Sequence, residues 1–312
     1  PFDERTGVWT EPSRLQAAQT ELQSTPRMVD AAEALYGPYR WGRYDLLVLP
    51  PSFPFGGMEN PRLTFATPTI IAGDQSLVSL VAHELAHSWS GNLVTNATWS
   101  DIWLNEGTTV YFENRIMEAL YGRDRAMQEQ VLGWGELSAE LATTAPDDTK
   151  LHIDLTGRDP DDGLSGVPYE KGAAMLRTIE RIVGREAFDA WLRGYFDRHA
   201  FQPMTDVGFL ADIREHLIKG DAGLEAQLQL ENWIYQPGMP SNWVPPVSHA
   251  FEAVDAQAKA FFADKGPASA IDWKNWNTQQ RQRFLAWRPE GLKAGADWLT
   301  TAQLADLEKT LN

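Results

Sequence analysis

The sequence predicts an α+β fold that is mostly helical, with a small sheet near its beginning. Two observations lead to this prediction. Segments typical of strands are few, and they lie at 44–49 and 63–71. Apolar residues recur with helical spacing along the rest of the 312 residues, at 76–90, 105–120, 126–142, 170–183, 186–199, 206–218, 224–235, 248–264, 274–288 and 300–311.

The first elements follow from local patterns. Residues 13–35 alternate polar and apolar positions with helical spacing, and the Gly37-Pro38 that follows is a common helix stop. Residues 44–49 form a short apolar run closed by two prolines, which is typical of a buried strand. A Pro- and Gly-rich loop leads to residues 63–71, where threonine and apolar residues indicate a second strand that is interrupted or at an edge.

The segment 76–90 carries the clearest helical pattern. At 100° per residue one apolar stripe forms, while His83 and His87 fall together on the opposite side; the stripe consists of Leu77, Val81, Leu85 and Trp89. The next helix is expected at about 105–120. Far downstream, prolines and glycines between 236 and 246 break the helical pattern, which favours a domain boundary there.

Composition excludes several classes of protein. The chain has 27 basic and 43 acidic side chains, and its formal charge of −16 disfavours nucleic acid as a partner. It has no cysteine, so disulfides and thiolate chemistry are excluded, and any metal must be held by His, Asp or Glu. No apolar run reaches the ~18 residues of a membrane span, so no membrane partner is expected.

The beginning of the chain is neither a start methionine nor a signal peptide, because it reads Pro1-Phe2-Asp3. We therefore expect a fragment of a longer protein. A cytoplasmic location is favoured, and the periplasm is left open.

A metal-binding pattern lies in the predicted helix 76–90. His83-Glu84-Leu85-Ala86-His87 is H-E-x-x-H, in which residues four apart share one helix face, so two imidazoles can bind one ion with Glu84 beside it. A catalytic zinc usually takes three protein ligands and leaves one position to water. Glu106, nineteen residues after His87 on the next helix, is the candidate third ligand. One Zn²⁺ per chain is expected.

The spacing of these residues is similar to that of a known family. H-E-x-x-H, eighteen residues and a glutamate resemble the gluzincin pattern, and G-G-M-E-N at 56–60 resembles the G-x-M-E-N exopeptidase signature. The chain thus resembles the zinc aminopeptidase family of gluzincins (peptidase family M-one). The stretches 46–54, 87–96 and 167–172 are similar to its leukotriene-A₄ hydrolase branch. The resemblance covers most of 35–240.

The resemblance implies a domain organisation. Residues 1–240 would form a thermolysin-like catalytic domain with a small sheet. Residues 241–312 would begin an all-α C-terminal domain. Family members also place a β-rich domain before this region, so the N-terminal domain and the rest of the C-terminal domain would be partners that are missing here.

The resemblance also implies catalytic roles. Glu84 would take a proton from the metal-bound water and pass it to the leaving amine. The hydroxyl of Tyr169 would stabilise the tetrahedral oxyanion. Glu59 would bind the free α-amine of a peptide substrate, which explains removal of one residue at a time. Gly56 and Gly57, beside Met58, would let the backbone approach an extended peptide closely.

Two further acidic residues receive weaker interpretations. Glu113 lies seven residues after Glu106 on nearly the same helix face; it would either orient a ligand histidine or be a solvated carboxylate. Asp161 matches the residue that directs water for epoxide opening in the leukotriene branch, but Leu164 stands where that branch has a second tyrosine.

The expected function is zinc-dependent hydrolysis of N-terminal residues from peptides with a free N-terminus. The first alternative is a bifunctional epoxide hydrolase of the leukotriene-A₄ hydrolase type. The second is a non-catalytic zinc-binding homologue, which would require the loss of at least one catalytic residue.

Overall fold

The computed structural model describes residues 1–289 and 298–311. The chain forms two compact units. The first comprises Pro1–Ala126 and Gly133–Pro245, and the second comprises Met127–Leu132 and Pro246–Asn312. The division into a catalytic domain at 1–240 and a helical domain at 241–312 stays a prediction.

Helices dominate the described residues, and the sheets are small, so the predicted α+β, mostly helical fold is confirmed. The strands are β1 (Thr6–Trp9), β2 (Tyr44–Val48), β3 (Gly57–Met58), β4 (Leu63–Ala66), β5 (Val94–Asn96) and β6 (Gln202–Met204). The helices are α1 (Leu15–Glu21), α2 (Thr25–Tyr36), α3 (Ser79–Ala86), α4 (Ile102–Tyr121), α5 (Arg123–Leu141), α6 (Gly172–Val183), α7 (Arg185–Arg198), α8 (Asp206–Ile213), α9 (Ala222–Leu228), α10 (Leu230–Tyr235), α11 (His249–Phe262), α12 (Thr278–Ala286) and α13 (Thr301–Leu311). None of the described helices combines the length and apolar character that crossing a bilayer requires.

The main sheet has the strand order β1-β2-β4-β3. The first three strands in that order are parallel, whereas β3 runs antiparallel to β4. The central strand β2 pairs Leu46 with Val8 on one side and with Thr64 on the other. Leu46 and Tyr44 are buried, as expected for the middle of a covered sheet. This sheet places the loop at 56–60 beside α3.

Helix α3 is shorter than the segment 76–90 predicts. It ends at Ala86, and the chain then turns back, because the backbone N–H of Asn92 donates to the carbonyl of His87. Gly91 takes φ +115° in this turn, a conformation that side-chain-bearing residues rarely adopt. The turn therefore ends helix α3 at the position of His87.

Helix α4 lies at the centre of the first unit, and nearly all of its N-terminal half is buried. It approaches α6 closely: a Cβ on Gly107 would lie 2.6 Å from the Cα of Gly172. Only glycine pairs allow this spacing between backbones. The contact fixes the start of α6, and the residues immediately before it, against the part of α4 that carries Glu106.

The second unit has an apolar core of its own. Phenylalanines of α11 and α12 pack together with Trp276. The ring centroids of Phe262 and Phe284 lie 4.8 Å apart. The residues expected to form the zinc site all belong to the first unit.

Candidate metal centre

Three donor atoms converge at the interface between α3 and α4. The Nε2 atoms of His83 and His87 lie 3.2 Å apart. Each of them lies 3.4 Å from Oε2 of Glu106. A tetrahedral ion with ligand distances of about 2.0–2.1 Å has ligand–ligand edges of about 3.3 Å. The donor triangle therefore has the size that a zinc ion requires.

Each of the two imidazoles also has a hydrogen-bond partner at Nδ1, and these partners favour the orientation of Nε2 toward Glu106. Nδ1 of His83 lies 3.0 Å from Oε2 of Glu113. Nδ1 of His87 lies 2.9 Å from the carbonyl oxygen of Ser90, which can only accept, so this nitrogen donates. With the protons on Nδ1, both Nε2 lone pairs face the Glu106 oxygen, and that oxygen is buried without a hydrogen-bond partner. Three converging lone pairs fit a cation between them.

The electrostatic environment also favours a cation. Burial alone would lower the pKa of His83, but the carboxylates of Glu106 and Glu113 raise it well above its ordinary value. Burial alone would raise the pKa of Glu106, but His87 and His83 hold it well below its ordinary range. A field that attracts protons to buried imidazoles attracts a metal ion for the same reason.

Glu84 lies beside the donor triangle with a free oxygen. Its Oε2 is buried and has no hydrogen-bond partner. Burial raises the pKa of Glu84 to about 7, partly offset by His83 and His87. The backbone of β3 presses against it, because a Cβ on Gly57 would lie 2.5 Å from Cδ of Glu84. Gly56 is not constrained in this way, because a Cβ atom added there would lie 3.5 Å from Leu80, which is an ordinary contact distance.

Glu59 extends the site away from α3. One of its carboxylate oxygens lies within 4.8 Å of ligand atoms of both Glu84 and His87. Its backbone carbonyl accepts a hydrogen bond of 2.8 Å from Nδ2 of Asn92. Asn92 thus joins the loop after β3 to the turn after α3. The sequence reasoning did not assign Asn92 a role, although it lies in the stretch 87–96 that carries the family resemblance.

Tyr169 lines the same cleft as the donor triangle. It lies in a π-helical turn, Val167–Lys171, that leads into α6. Its ring is stacked on that of His83, with centroids 6.2 Å apart and planes inclined by 17°. Burial, and then the charge of Glu106, raises its pKa above the ordinary value, so the phenol keeps its proton and can donate it in a hydrogen bond.

These groups line one cleft with a volume of about 930 Å³. The residues expected at the site that line it are Gly56, Gly57, Met58, Glu59, His83, Glu84, His87, Glu106, Glu113 and Tyr169. Asp161 is not among the lining residues; it lies in an exposed turn, Pro160–Gly163, while Leu164 does line the cleft. Sequence reasoning missed several other lining residues, including Thr98, Trp99 and Asn105.

A protein family and several curated proteins are similar to this chain over most of its length. The model of the Peptidase family M1 domain matches residues 20–233. A leukotriene A-4 hydrolase of Xenopus laevis is 42% identical over 294 residues, covering 90% of this chain and 47% of the relative. A leucine aminopeptidase 2 of Sclerotinia sclerotiorum is 41% identical over 289 residues, with the same coverage. The chain thus spans about half the length of the curated relatives it matches.

Solved structures of similar proteins also superpose on this chain. A yeast LTA4 hydrolase in complex with bestatin superposes with a TM-score of 0.84 at 37% identity, covering 91% of this chain and 48% of that one. An M1 zinc metallopeptidase from Deinococcus radiodurans superposes with a TM-score of 0.56 at 26% identity, covering 71% of this chain and 46% of that one.

Proposed function

Because this chain belongs to the peptidase M1 family, we propose that it removes N-terminal residues from peptides as a zinc-dependent aminopeptidase. The family assignment confirms the resemblance stated from the motifs. One observation carries the proposal: the donor triangle, Glu84 and Glu59 share a single cleft. A metal ligand set, a carboxylate base and a carboxylate for an ammonium group are the parts that aminopeptidase chemistry needs.

His83, His87 and Glu106 would hold one zinc ion in this centre. When bound there, zinc supplies a Lewis acid that lowers the pKa of a bound water and polarises a carbonyl oxygen. Glu113 and the Ser90 carbonyl keep the two imidazoles in the tautomer that leaves Nε2 free. This tautomer is the one that ligation requires.

Glu84 is placed to move protons. Its unpartnered Oε2 can accept a proton from water, and a pKa of about 7 lets the same carboxyl group donate it to the leaving amine. The β3 backbone holds the carboxylate in position. Tyr169, protonated at working pH, donates its O–H to the oxygen that becomes negative when the peptide carbonyl is attacked.

Glu59 gives the site its preference for a free N-terminus. A carboxylate in the cleft pairs with the α-ammonium group and sets its distance from the scissile bond. Met58 and the Gly56 backbone line the wall beside it and would contact the first residue of the substrate. We therefore propose peptides with a free N-terminus as the substrates.

The epoxide-hydrolase alternative receives less support from the residues of this chain. Asp161 is exposed and outside the cleft lining, and Leu164 offers no hydroxyl where the leukotriene branch has a tyrosine. The non-catalytic alternative is disfavoured because Glu84, Tyr169 and Glu59 are all present and line the cleft.

The test is hydrolysis of an aminoacyl-anilide by zinc-loaded protein. Glu84→Gln should retain zinc and lose about 10²–10⁴-fold in kcat, because it removes the proton-transfer group while leaving the ligands intact. Glu186→Gln, an exposed carboxylate on α7, is the matched control and should keep the wild-type rate. Near-normal turnover by Glu84→Gln would rule out the proposed base. A leukotriene epoxide, assayed in parallel, tests the alternative.

A further inference from the structure

A second group of metal-ligating side chains lies in the first unit and is not used by the proposed reaction. Asp101 immediately precedes α4, Asp206 begins α8, and His152 lies in the segment between α5 and α6. One ligand atom of each lies within 4.8 Å of the others. Nδ1 of His152 is 3.1 Å from Oδ2 of Asp206 and 3.5 Å from Oδ1 of Asp101. These two distances are similar to the 3.2–3.4 Å between the donor atoms in the cleft.

The charges at this group do not balance. The side chains of Asp101 and Asp206 are only 3% and 8% exposed. The ion pairs described for these two carboxylates both involve His152. Even a protonated imidazole leaves one negative charge, and burying an uncompensated charge is costly. The N-termini of α4 and α8 contribute only partial positive charges.

The imidazole of His152 faces the carboxylates without bonding to them. Its Nδ1 atom is buried and forms no hydrogen bond, although two carboxylate oxygens lie within ion-pair distance. Nδ1 therefore lies close to both oxygens without a hydrogen bond to either. A common ion between the three ligand atoms would account for this close approach.

Neighbouring groups hold the two carboxylates in place. The hydroxyl of Thr98 donates to Oδ2 of Asp101 at 2.8 Å. The hydroxyl of Tyr235 donates to Oδ2 of Asp206 at 2.6 Å, and the backbone N–H of Asp206 donates to Oδ1 of Asp101 at 3.2 Å. Hydrogen bonds of this kind orient ligands around protein-bound metals.

We propose that Asp101, His152 and Asp206 bind a divalent transition-metal ion. Two carboxylates and a neutral imidazole balance a charge of +2. The nitrogen ligand favours zinc or a similar ion over calcium or magnesium, which prefer oxygen alone. The bound ion links the starts of α4 and α8 to the segment that contains His152. It therefore braces the helix that carries Glu106, five residues after Asp101.

Metal content of the whole protein tests this proposal. After saturation with zinc and gel filtration, we expect two ions per wild-type chain, one in His152→Gln and one in His83→Gln. His249→Gln, which alters an exposed histidine, is the control and should keep two. One ion in wild type, or two in His152→Gln, would overturn the proposal. His83→Gln removes a ligand of the cleft only. Its metal content therefore tests the zinc site of the proposed function separately from the second site.

A second measurement uses only the wild-type protein, so it does not depend on how a variant folds. Crystals soaked in zinc should show an anomalous peak at the zinc edge between the three side chains. If no peak appears there while the cleft is occupied, the metal proposal is rejected.

Discussion

A Cβ atom on Gly57 would lie 2.5 Å from Cδ and 2.8 Å from Cγ of Glu84. The backbone of β3 therefore rests directly on the carboxylate that we propose as the general base. Glu84 is buried on α3, so its side chain has little room to move away from β3. The glycine at position 57 is thus needed as much for the position of Glu84 as for the approach of a substrate.

Replacing Gly57 by alanine should displace the Glu84 carboxylate. We expect Gly57→Ala to lower kcat for an aminoacyl-anilide by about 100-fold or more, because proton transfer depends on the placement of the base. Zinc content should stay at the wild-type level. Gly56→Ala, whose Cβ has ordinary space, is the control and should change kcat little. Similar rates for the two variants would show that β3 does not position Glu84.

The contact between Glu113 and His83 should matter for metal affinity. Glu113→Ala removes the acceptor of His83 Nδ1, so the ring loses both its orientation and its tautomer. Loss of such a partner typically costs about 10- to 100-fold in metal affinity. Competition with a zinc chelator measures this directly. Glu118→Ala, on the same helix but paired with Arg185, is the control and should bind zinc as wild type does.

Glu59 should discriminate free from blocked amines. We expect Glu59→Gln to lower kcat/KM for a free-amine peptide by about 10- to 100-fold, because hydrogen bonds to a charged group contribute about 1.5–3 kcal/mol. The glutamine keeps the size of the side chain and removes only its charge. The slow hydrolysis of an N-acetylated peptide is the reference. An equal loss on both substrates would contradict a role in amine recognition.

Asn92 should act through Glu59. Its side chain donates to the Glu59 carbonyl, and its backbone N–H donates to the His87 carbonyl. We expect Asn92→Ala to raise KM for free-amine peptides several-fold while kcat and zinc content change little, because only the placement of the amine subsite is loosened. A fall in kcat with an unchanged KM would place Asn92 in the chemical step instead.

Lys171 predicts a pH dependence of stability. It is fully buried, and its Nζ donates to the carbonyls of Thr149 and Gln236. Burial lowers the pKa of Lys171 to about 7, from an ordinary value of 10.5. Between these values the unfolded chain binds the proton and the folded chain does not, so the free energy of unfolding should rise with pH, by up to about 1.4 kcal/mol per pH unit. Below pH 7 both states are protonated and the gain is absent.

Urea unfolding of wild type and Lys171→Met between pH 6 and 10 measures this effect. Methionine has a similar length but no charge, so other titrating groups cancel in the difference between the two proteins. The free energy of unfolding of the wild type, relative to that of the variant, should increase above pH 7. Parallel stability curves would mean that Lys171 stays charged in the folded protein.

Much of the fold was visible in local patterns. The helices α4, α6, α7 and α11 lie close to their predicted positions, because long amphipathic periodicity survives in the tertiary structure. The strands β1, β3, β5 and β6 were not predicted. They have two to four residues each, and strands this short are defined by their partners rather than by their own sequence. Two long predicted helices, at 13–35 and 224–235, are interrupted; the second breaks at Gln229, whose φ is +51°. The predicted helix at 206–218 is continuous, but it passes from α-helical to π-helical geometry at Arg214–Ile218.

The sequence alone determined the family and the helical character, and it predicted the metal-binding chemistry, because the H-E-x-x-H spacing and the later glutamate are local and chemically specific. The tertiary structure decided which groups meet. The distances between Nε2 atoms and the Glu106 oxygen, the contact of Gly57 with Glu84, and the grouping of Asp101 with His152 and Asp206 each join segments that are distant along the chain. Such contacts depend on how helices and strands pack, and packing is a property of the whole fold.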